Sequence, residues 1–143
     1  MKTKHISALY GSANVGKSTT LKKVFGLLTA ANPTAPVRTL NPPGADITYI
    51  IEINGILVGI ESQGDPNSRL GASLERFKKA KCVIIICATR NWGGTVRIVE
   101  ALQPEFTIVW HHKKSEPQPN LEGQRNDESA KIIFEEVRNA LSA

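Results

Sequence analysis

Residues 11–18 form a glycine-rich loop of fixed spacing, placed between a short apolar run and a helix-compatible stretch. They read Gly-Ser-Ala-Asn-Val-Gly-Lys-Ser and fit the pattern G-x-x-x-x-G-K-[ST] at every fixed position. The glycines let the backbone curl until successive N–H groups face one centre, and the helix behind adds its positive amino end. The pattern therefore predicts a phosphate-binding loop in which Lys17 reaches the outer phosphates and Ser18 holds Mg²⁺.

The whole loop is expected to touch the nucleotide, and we expect the Lys17 side chain to be exposed and to pack little of the core. The predicted contact residues are Gly11, Ser12, Ala13, Asn14, Val15, Gly16, Lys17, Ser18 and Thr19.

The composition is that of an ordinary globular domain. The chain has 143 residues, of which 41% are hydrophobic and 22% charged, and this predicts one domain, 1–143, with a single core. The net charge of +5 suits an anionic ligand. Aromatic residues make up only 6% of the chain, too few to interleave with its basic groups, which argues against a nucleic-acid partner.

The sequence carries no signal for export or membrane insertion. Residues 1–6 lack the apolar core of a signal peptide, and no run of about 18 apolar residues occurs. The spacing of Cys82 and Cys87 puts them on opposite faces of one strand, so we expect free thiols in a reducing compartment. A cytoplasmic protein without membrane contact is the expectation.

Apolar periodicity and turn residues predict an alternation of strands and helices. The Asn54-Gly55 pair between two strand-like runs predicts a β-hairpin. The predicted strands are 4–10, 46–53, 56–62, 82–88 and 106–110, and the predicted helices are 17–30, 70–81, a short one before Pro104, and one capped by Asn126 or Asp127.

This order predicts an α/β protein with three layers, α/β/α, and a mostly parallel sheet whose single antiparallel edge strand comes from the 46–62 hairpin. The proline-rich segment 32–44 and the polar segment 111–126 are predicted to be long loops, the second of them mobile.

The phosphate loop and the hairpin together make the chain resemble the P-loop NTPases, and within them the Ras-like GTPase arrangement. In that family the strand after the hairpin turn ends in Asp-x-x-Gly, whose Asp binds Mg²⁺ through water and whose Gly N–H meets the γ-phosphate. The matching stretch here is 61–64, Glu-Ser-Gln-Gly. The resemblance therefore implies that Glu61 serves the metal and that Gly64 contacts the nucleotide.

The resemblance also implies catalytic groups around this stretch. A residue beside the glycine would orient the attacking water, and here Gln63 and Asp65 are both candidates. A cationic finger would come from Arg69 or Arg90, which follow sheet strands. Lys17 would complete the set by stabilising charge on the leaving phosphate.

Two further features of the family map onto less specific segments. Its switch region would fall in 32–44, where Thr34 and Thr39 are both candidates for the metal and where a protein partner is expected to bind. Its guanine-reading Asn-Lys-x-Asp is replaced by His-His-Lys-Lys at 111–114. Because this stretch lacks the carboxylate acceptor for guanine, ATP is favoured over GTP.

Three functions are compatible with the sequence. The first is Mg²⁺-dependent binding and slow hydrolysis of a nucleoside triphosphate, as in a nucleotide switch. The second is a small-molecule or nucleotide kinase, in which the loop 64–69 and the pair Arg90 and Arg97 bind the acceptor. The third is a non-catalytic nucleotide-binding module that uses 32–44 and Trp92 as contact surfaces.

Overall fold

A six-stranded sheet with helices on both faces forms the frame of the molecule. A computed structural model describes residues 3–42 and 44–142. Residues 1, 2, 43 and 143 of the predicted domain 1–143 therefore lie outside the described residues, and residue 43 is also part of the predicted loop 32–44. The elements follow in the order β1 His5–Tyr10, α1 Lys17–Ala31, β2 Val37–Thr39, β3 Thr48–Ile53, β4 Ile56–Glu61, α2 Leu70–Lys79, β5 Ile84–Thr89, α3 Gly94–Glu100, β6 Thr107–His112, a 3₁₀ turn Pro119–Leu121, and α4 Glu122–Ser142.

The sheet has the strand order β2-β3-β4-β5-β1-β6. Strands β4, β5, β1 and β6 run parallel, whereas β3 is antiparallel to both β4 and β2. The α/β class and the mostly parallel sheet are thus confirmed. The prediction that the hairpin supplies the edge strand is wrong, because β2 pairs outside β3.

Strand β2 arises inside the segment predicted to be a loop. Residues 37–39 contain no proline and lie between Pro36 and Pro42, which bound the strand on either side. Proline cannot donate to a ladder, so a strand confined by prolines is short and lies at an edge. All three residues of β2 are exposed, so no alternation of apolar and polar residues marks the strand in the sequence.

The hairpin forms where Asn54-Gly55 predicted it. Ile53 pairs with Ile56, and the two residues between them have φ values of 51° and 80°. Positive φ at both central residues is the requirement of the two-residue turn that fits the twist of a hairpin.

The core lies on both faces of the sheet, with two helices on each. Alternate residues of β5 point to opposite sides, Ile86 toward α1 and α4, and Ile85 toward α2 and α3. The first face buries Leu9, Leu21, Val24, Leu28, Ile51, Ile60, Ile133 and Val137, and the second buries Ile6, Ile50, Leu70, Leu74, Phe77, Val99 and Phe106. This is an arrangement of three layers.

Both cysteines are free and buried, as predicted. The prediction that they lie on opposite faces is wrong, because Cys82 precedes β5 and packs in the same apolar cluster as Cys87. Burial raises the pKa of each thiol to about 12, so neither forms a thiolate at neutral pH.

Helix α4 begins at Glu122, about one turn before the predicted caps at 126–127. The segment 111–126, predicted to be a mobile loop, contains the end of β6, a 3₁₀ turn and the start of this helix. The first turns of α4 are polar because they do not face the apolar core. The residues of this helix that pack into the core begin at Ala130. Among residues 3–42 and 44–142, no helix has both the length and the apolar character needed to cross a membrane.

A hydrogen-bonded cluster joins α4 to the sheet through Glu136. Its Oε1 accepts a hydrogen bond of 2.6 Å from Ser7 Oγ and lies 2.6 Å from His111 Nε2, while His5 Nε2 lies 3.5 Å from Oε2. Burial by itself would raise the pKa of Glu136, but the hydrogen bonds from His111, His5 and Ser7 outweigh it and lower the pKa to about 2.

We expect Glu136 to make the stability of the protein depend on acid pH. A folded-state pKa below the ordinary value of 4.5 means that the ionised carboxylate stabilises the fold fully above pH 4.5 and loses this effect as the pH falls toward 2. When the pH is lowered from 6 to 3, the free energy of unfolding of Glu136→Gln should therefore fall by about 2 kcal/mol less than that of the wild type. Urea titrations at several pH values measure this difference.

The neighbouring Glu135→Gln serves as the control, because Glu135 pairs with Arg138 on the exposed side of the same helix. It should follow the wild-type pH profile. If Glu136→Gln also follows that profile, the Glu136 cluster does not make the free energy of unfolding depend on pH.

Candidate functional site

The glycine-rich loop leaves the carboxyl end of β1 and turns into α1. Asn14 and Gly16 both have positive φ, 60° and 96°, and these values curl the chain between the strand and the helix. Gly11 N–H donates to the Thr89 carbonyl of β5 at 3.2 Å. A side chain at Gly11 would meet the Lys113 carbonyl oxygen at 2.6 Å. The ends of three parallel strands thus hold the loop.

Lys17 is buried rather than exposed, which corrects the prediction for its side chain. It is 7% exposed, and its Nζ donates to the carbonyl oxygens of Gly11 at 2.7 Å and Ser12 at 2.8 Å. Burial lowers the pKa of Lys17, the charge of Asp65 opposes this change, and the charge of Arg90 adds to it. The ammonium group is therefore held inside the loop that it is predicted to serve.

The side chain of Ser18 is fixed by a carboxylate that sequence reasoning missed. Ser18 Oγ donates to Asp46 Oδ1 at 2.7 Å, and Ser62 Oγ donates to the same oxygen at 2.7 Å. Asp46 lies in the loop between β2 and β3 and is the only acidic residue from 32 to 47. That position as the single carboxylate of a proline-rich segment is the signal that could have identified it.

The surroundings of Asp46 favour its ionised form. Burial by itself would raise the pKa of Asp46, but hydrogen bonds from Ser18 and Ser62 and the charges of Lys22 and Arg69 outweigh it and lower the pKa. An ionised carboxylate beside a serine hydroxyl is a pair of hard oxygen ligands, the type that Mg²⁺ prefers.

Glu61 is engaged in a buried hydrogen-bond network and does not face the Lys17 and Ser18 side chains of the loop. Its side chain is 0% exposed, and Oε1 accepts hydrogen bonds from Thr48 Oγ1 at 2.6 Å, Ser73 Oγ at 2.6 Å and Arg69 Nε at 2.9 Å. Its other oxygen accepts from the backbone N–H of Gln63 at 2.9 Å. Glu61 and Arg69, predicted to serve the metal and the transition state, therefore bind each other behind the site.

The stretch after Glu61 does face the glycine-rich loop. Gln63, Gly64 and Asp65 line the same cavity as loop residues 14–18. Gly64 lies so close to the Ala88 backbone of β5 that a side chain there would collide with it. Asp65 forms an ion pair with Arg90, whose Nε lies 3.0 Å from Asp65 Oδ1.

These groups surround a cavity of about 390 Å³, which we call the first cavity. The loop and first turn of α1 form one wall, the segment 62–65 forms another, and α4 closes the site from the far side. The lining residues are Asn14, Val15, Gly16, Lys17, Ser18, Thr19, Asp46, Ser62, Gln63, Gly64, Asp65, Glu122 and Asn126.

The contribution of α4 was not foreseen from the sequence. Asn126, predicted as a helix cap, is 8% exposed, and its Oδ1 is buried without a hydrogen-bond partner among the described residues. Its amide touches the Gly16 backbone, where a side chain would collide with Oδ1. The turn at Gly16 and the start of α4 are thus fitted to each other.

The two threonines of the predicted switch region do not line the first cavity. Thr34 is exposed in the loop before β2, and Thr39 is exposed on β2, opposite Tyr49. Contact of 32–44 with a protein partner stays a prediction. Within residues 3–42 and 44–142, no three His, Cys, Asp or Glu side chains are grouped so that they could hold a metal ion by themselves.

Comparisons of this chain with protein-family models, with curated proteins and with solved structures found no match.

Gly16→Ala should destabilise the fold, because a residue with a side chain is strained at a φ of 96° and its Cβ would collide with Asn126. The expected loss in free energy of unfolding is about 1–3 kcal/mol. Denaturant titration measures it, and Gly16→Ala combined with Asn126→Ala should recover the part that comes from the collision.

Gly26→Ala is the matched control. Gly26 lies inside α1, has no positive φ, and has open space where its side chain would stand. This change should raise the free energy of unfolding by up to about 1 kcal/mol, since alanine is the better helix former. Equal stability of the two variants would contradict the fit between Gly16 and α4.

Proposed function

We propose that the first cavity binds a nucleoside triphosphate with Mg²⁺ and that the chain hydrolyses it slowly. The observation that carries this proposal is the 2.7 Å hydrogen bond from Ser18 to Asp46, beside the buried Lys17 of a phosphate-loop pattern. Mg²⁺ in nucleotide sites takes only one or two protein ligands and completes its shell with phosphate oxygens and water. Ser18 and Asp46 would be those protein ligands, Asp46 in the role that the resemblance gave to Glu61.

Lys17 would bind the outer phosphates. Its ammonium group now donates to two backbone carbonyls, Gly11 and Ser12, and phosphate oxygens are stronger acceptors because they are charged. Lys17 together with the loop N–H groups would stabilise the charge that builds on the leaving phosphate.

The attacking water would be oriented by Asp65 in preference to Gln63. Both polar atoms of the Gln63 side-chain amide are engaged. Its oxygen accepts from the backbone N–H of Arg69, and its nitrogen lies 3.4 Å from Asp46 Oδ2. Asp65 uses one oxygen for Arg90, and its other oxygen has no hydrogen-bond partner in the described part of the chain. Turnover of order 10⁻⁴ to 10⁻² per second is expected without an added arginine.

Arg90 is the better candidate for a cation at the transition state. The Nε of Arg69 is held by the buried Glu61, whereas Arg90 bonds to Asp65 at the wall of the first cavity. A cation adjacent to the outer phosphates stabilises the charge of phosphoryl transfer.

The base is proposed to be adenine. The stretch 111–114 lacks the carboxylate that the guanine-reading motif supplies. A thermal-shift panel of ATP, GTP, ADP and GDP, with and without Mg²⁺, tests this choice. A ligand that binds only the native state adds about 2.7 kcal/mol of stability at a hundredfold excess over its Kd, and the larger shift should belong to Mg·ATP.

Lys17→Ala should weaken the binding of Mg·ATP at least about tenfold, because a charge-assisted contact to phosphate is lost. Isothermal titration calorimetry measures the affinity. Because Lys17 Nζ also holds two loop carbonyls, the free energy of unfolding is measured in parallel.

Lys23→Ala is the control, since it removes the same charge from α1 outside the first cavity. It should bind Mg·ATP like the wild type. Unchanged affinity in a folded Lys17→Ala variant would refute the proposed function.

Asp46→Asn and Glu61→Gln separate the two candidate metal carboxylates. We expect Asp46→Asn to reduce the ratio of ATP Kd without Mg²⁺ to Kd with Mg²⁺ toward one. Glu61→Gln should keep this ratio and instead lower the free energy of unfolding by about 1–3 kcal/mol, because the amide nitrogen that replaces one carboxylate oxygen cannot accept a hydrogen bond and the charge that pairs with Arg69 is lost. The reverse pattern would return the metal role to Glu61.

A further inference from the structure

A second cavity, of about 380 Å³, adjoins the phosphate loop on the side away from α4. Its wall includes the loop residues Ser12 and Ala13, whereas the first cavity is lined by residues 14–19 of the same loop. The other walls come from the loops after β4 and β5 and from the start of α3. They include Pro66, Arg90, Trp92 and Arg97.

The second cavity lies next to the end of the site where the outer phosphates are proposed to bind. The Ser12 carbonyl accepts the Lys17 ammonium group at 2.8 Å, and Ser12 Oγ accepts a hydrogen bond of 3.0 Å from Asn91. Asp65, which lines the first cavity, forms an ion pair with Arg90, which lines the second. A ligand in the second cavity would therefore face the terminal phosphate.

The charge of the second cavity suits an anion. Arg90 and Arg97 both line it, and its lining contains no acidic residue among those the structure describes. The guanidinium group of Arg97 has no hydrogen bond or ion pair within residues 3–42 and 44–142. Arg90 is already paired with Asp65 of the first cavity, so the net positive charge of the second cavity comes from Arg97. A guanidinium group can bind a phosphate through two parallel hydrogen bonds.

The rim of the second cavity suits a flat ring. Trp92 is 82% exposed, and the two residues that follow it, Gly93 and Gly94, carry no side chains and also line the second cavity. An exposed indole beside cationic groups is a stacking surface for planar rings such as nucleobases.

We propose that the second cavity binds a nucleoside monophosphate, which accepts the terminal phosphoryl group of the triphosphate. Its base would stack on Trp92, and its phosphate would bind Arg90 and Arg97. This proposal rests on the proposed function, because the donor is the nucleoside triphosphate of the first cavity.

The transfer needs no further reactant. An oxygen of the monophosphate forms a bond to the γ-phosphorus while the bond from that phosphorus to the β–γ bridging oxygen breaks. The nucleoside diphosphate leaves with that electron pair, and the acceptor becomes a second diphosphate. A phosphate monoester has its second pKa near 6, so the attacking oxygen is already ionised at neutral pH and no base has to remove a proton.

Incubation of the full chain with Mg·ATP and each of AMP, GMP, CMP and UMP tests the proposal. Separation of the products by ion-exchange chromatography should show two diphosphates formed in equal amounts with at least one acceptor. Inorganic phosphate and adenosine, which carry only the anion or only the ring, should bind at least about tenfold more weakly than that monophosphate. Release of inorganic phosphate alone with all four acceptors would overturn the proposal.

Arg97→Ala and Trp92→Ala should each raise the KM for the monophosphate about tenfold. Neither residue lines the first cavity, so the Kd of Mg·ATP should change less than about threefold. Arg38→Ala, which removes an exposed arginine from β2, is the matched charge control and should leave both values unchanged. Equal effects of Arg38→Ala and Arg97→Ala would overturn the assignment of the phosphate to the second cavity.

Failure of this inference is distinguishable from failure of the proposed function. Quenching of Trp92 fluorescence measures monophosphate binding without any triphosphate, because the other tryptophan, Trp110, lies half-buried against Tyr10. Quenching that persists in Lys17→Ala supports a separate second cavity. Binding of Mg·ATP without quenching by any of the four monophosphates refutes the second cavity alone, and absence of Mg·ATP binding refutes the first.

Discussion

The hydrogen bonds that converge on Asp46 determine the shape of the first cavity. One carboxylate oxygen accepts from Ser18 in the first turn of α1 and from Ser62 just after β4. The loop between β2 and β3, which carries Asp46, thereby joins α1 to the segment after β4. Because burial alone disfavours an ionised carboxylate, these two donors, with the charges of Lys22 and Arg69, are also the reason that Asp46 keeps its charge.

Local signals were sufficient to predict most of the sheet. The hairpin follows from Asn54-Gly55, and the buried strands follow from uninterrupted apolar runs, since these patterns involve only neighbouring residues. The edge strand β2 was missed because its three residues are all exposed and leave no pattern. The early start of α4 was missed because its first turns meet a loop and a cavity, which apolar periodicity does not reveal.

The curled glycine-rich loop between β1 and α1 could be predicted for the same reason, since its spacing is a property of consecutive residues. The roles of Glu61 and Asp46 could not, because partners from distant elements decide them. Four donors, from residues 48, 63, 69 and 73, surround Glu61, and nothing in the stretch 61–64 indicates them. The burial of Lys17 likewise results from the way the loop folds back on its side chain.

The burial of both cysteines makes the folded chain inert to thiol reagents. Cys82 and Cys87 are 1% and 0% exposed, and a pKa of about 12 keeps each sulfur protonated. Alkylation at neutral pH would therefore proceed only through local or global opening of the fold, and its rate would report how readily the fold opens. A cysteine introduced on the surface would be the single reactive position of the native protein, so a spectroscopic label could be attached there without removing the native thiols.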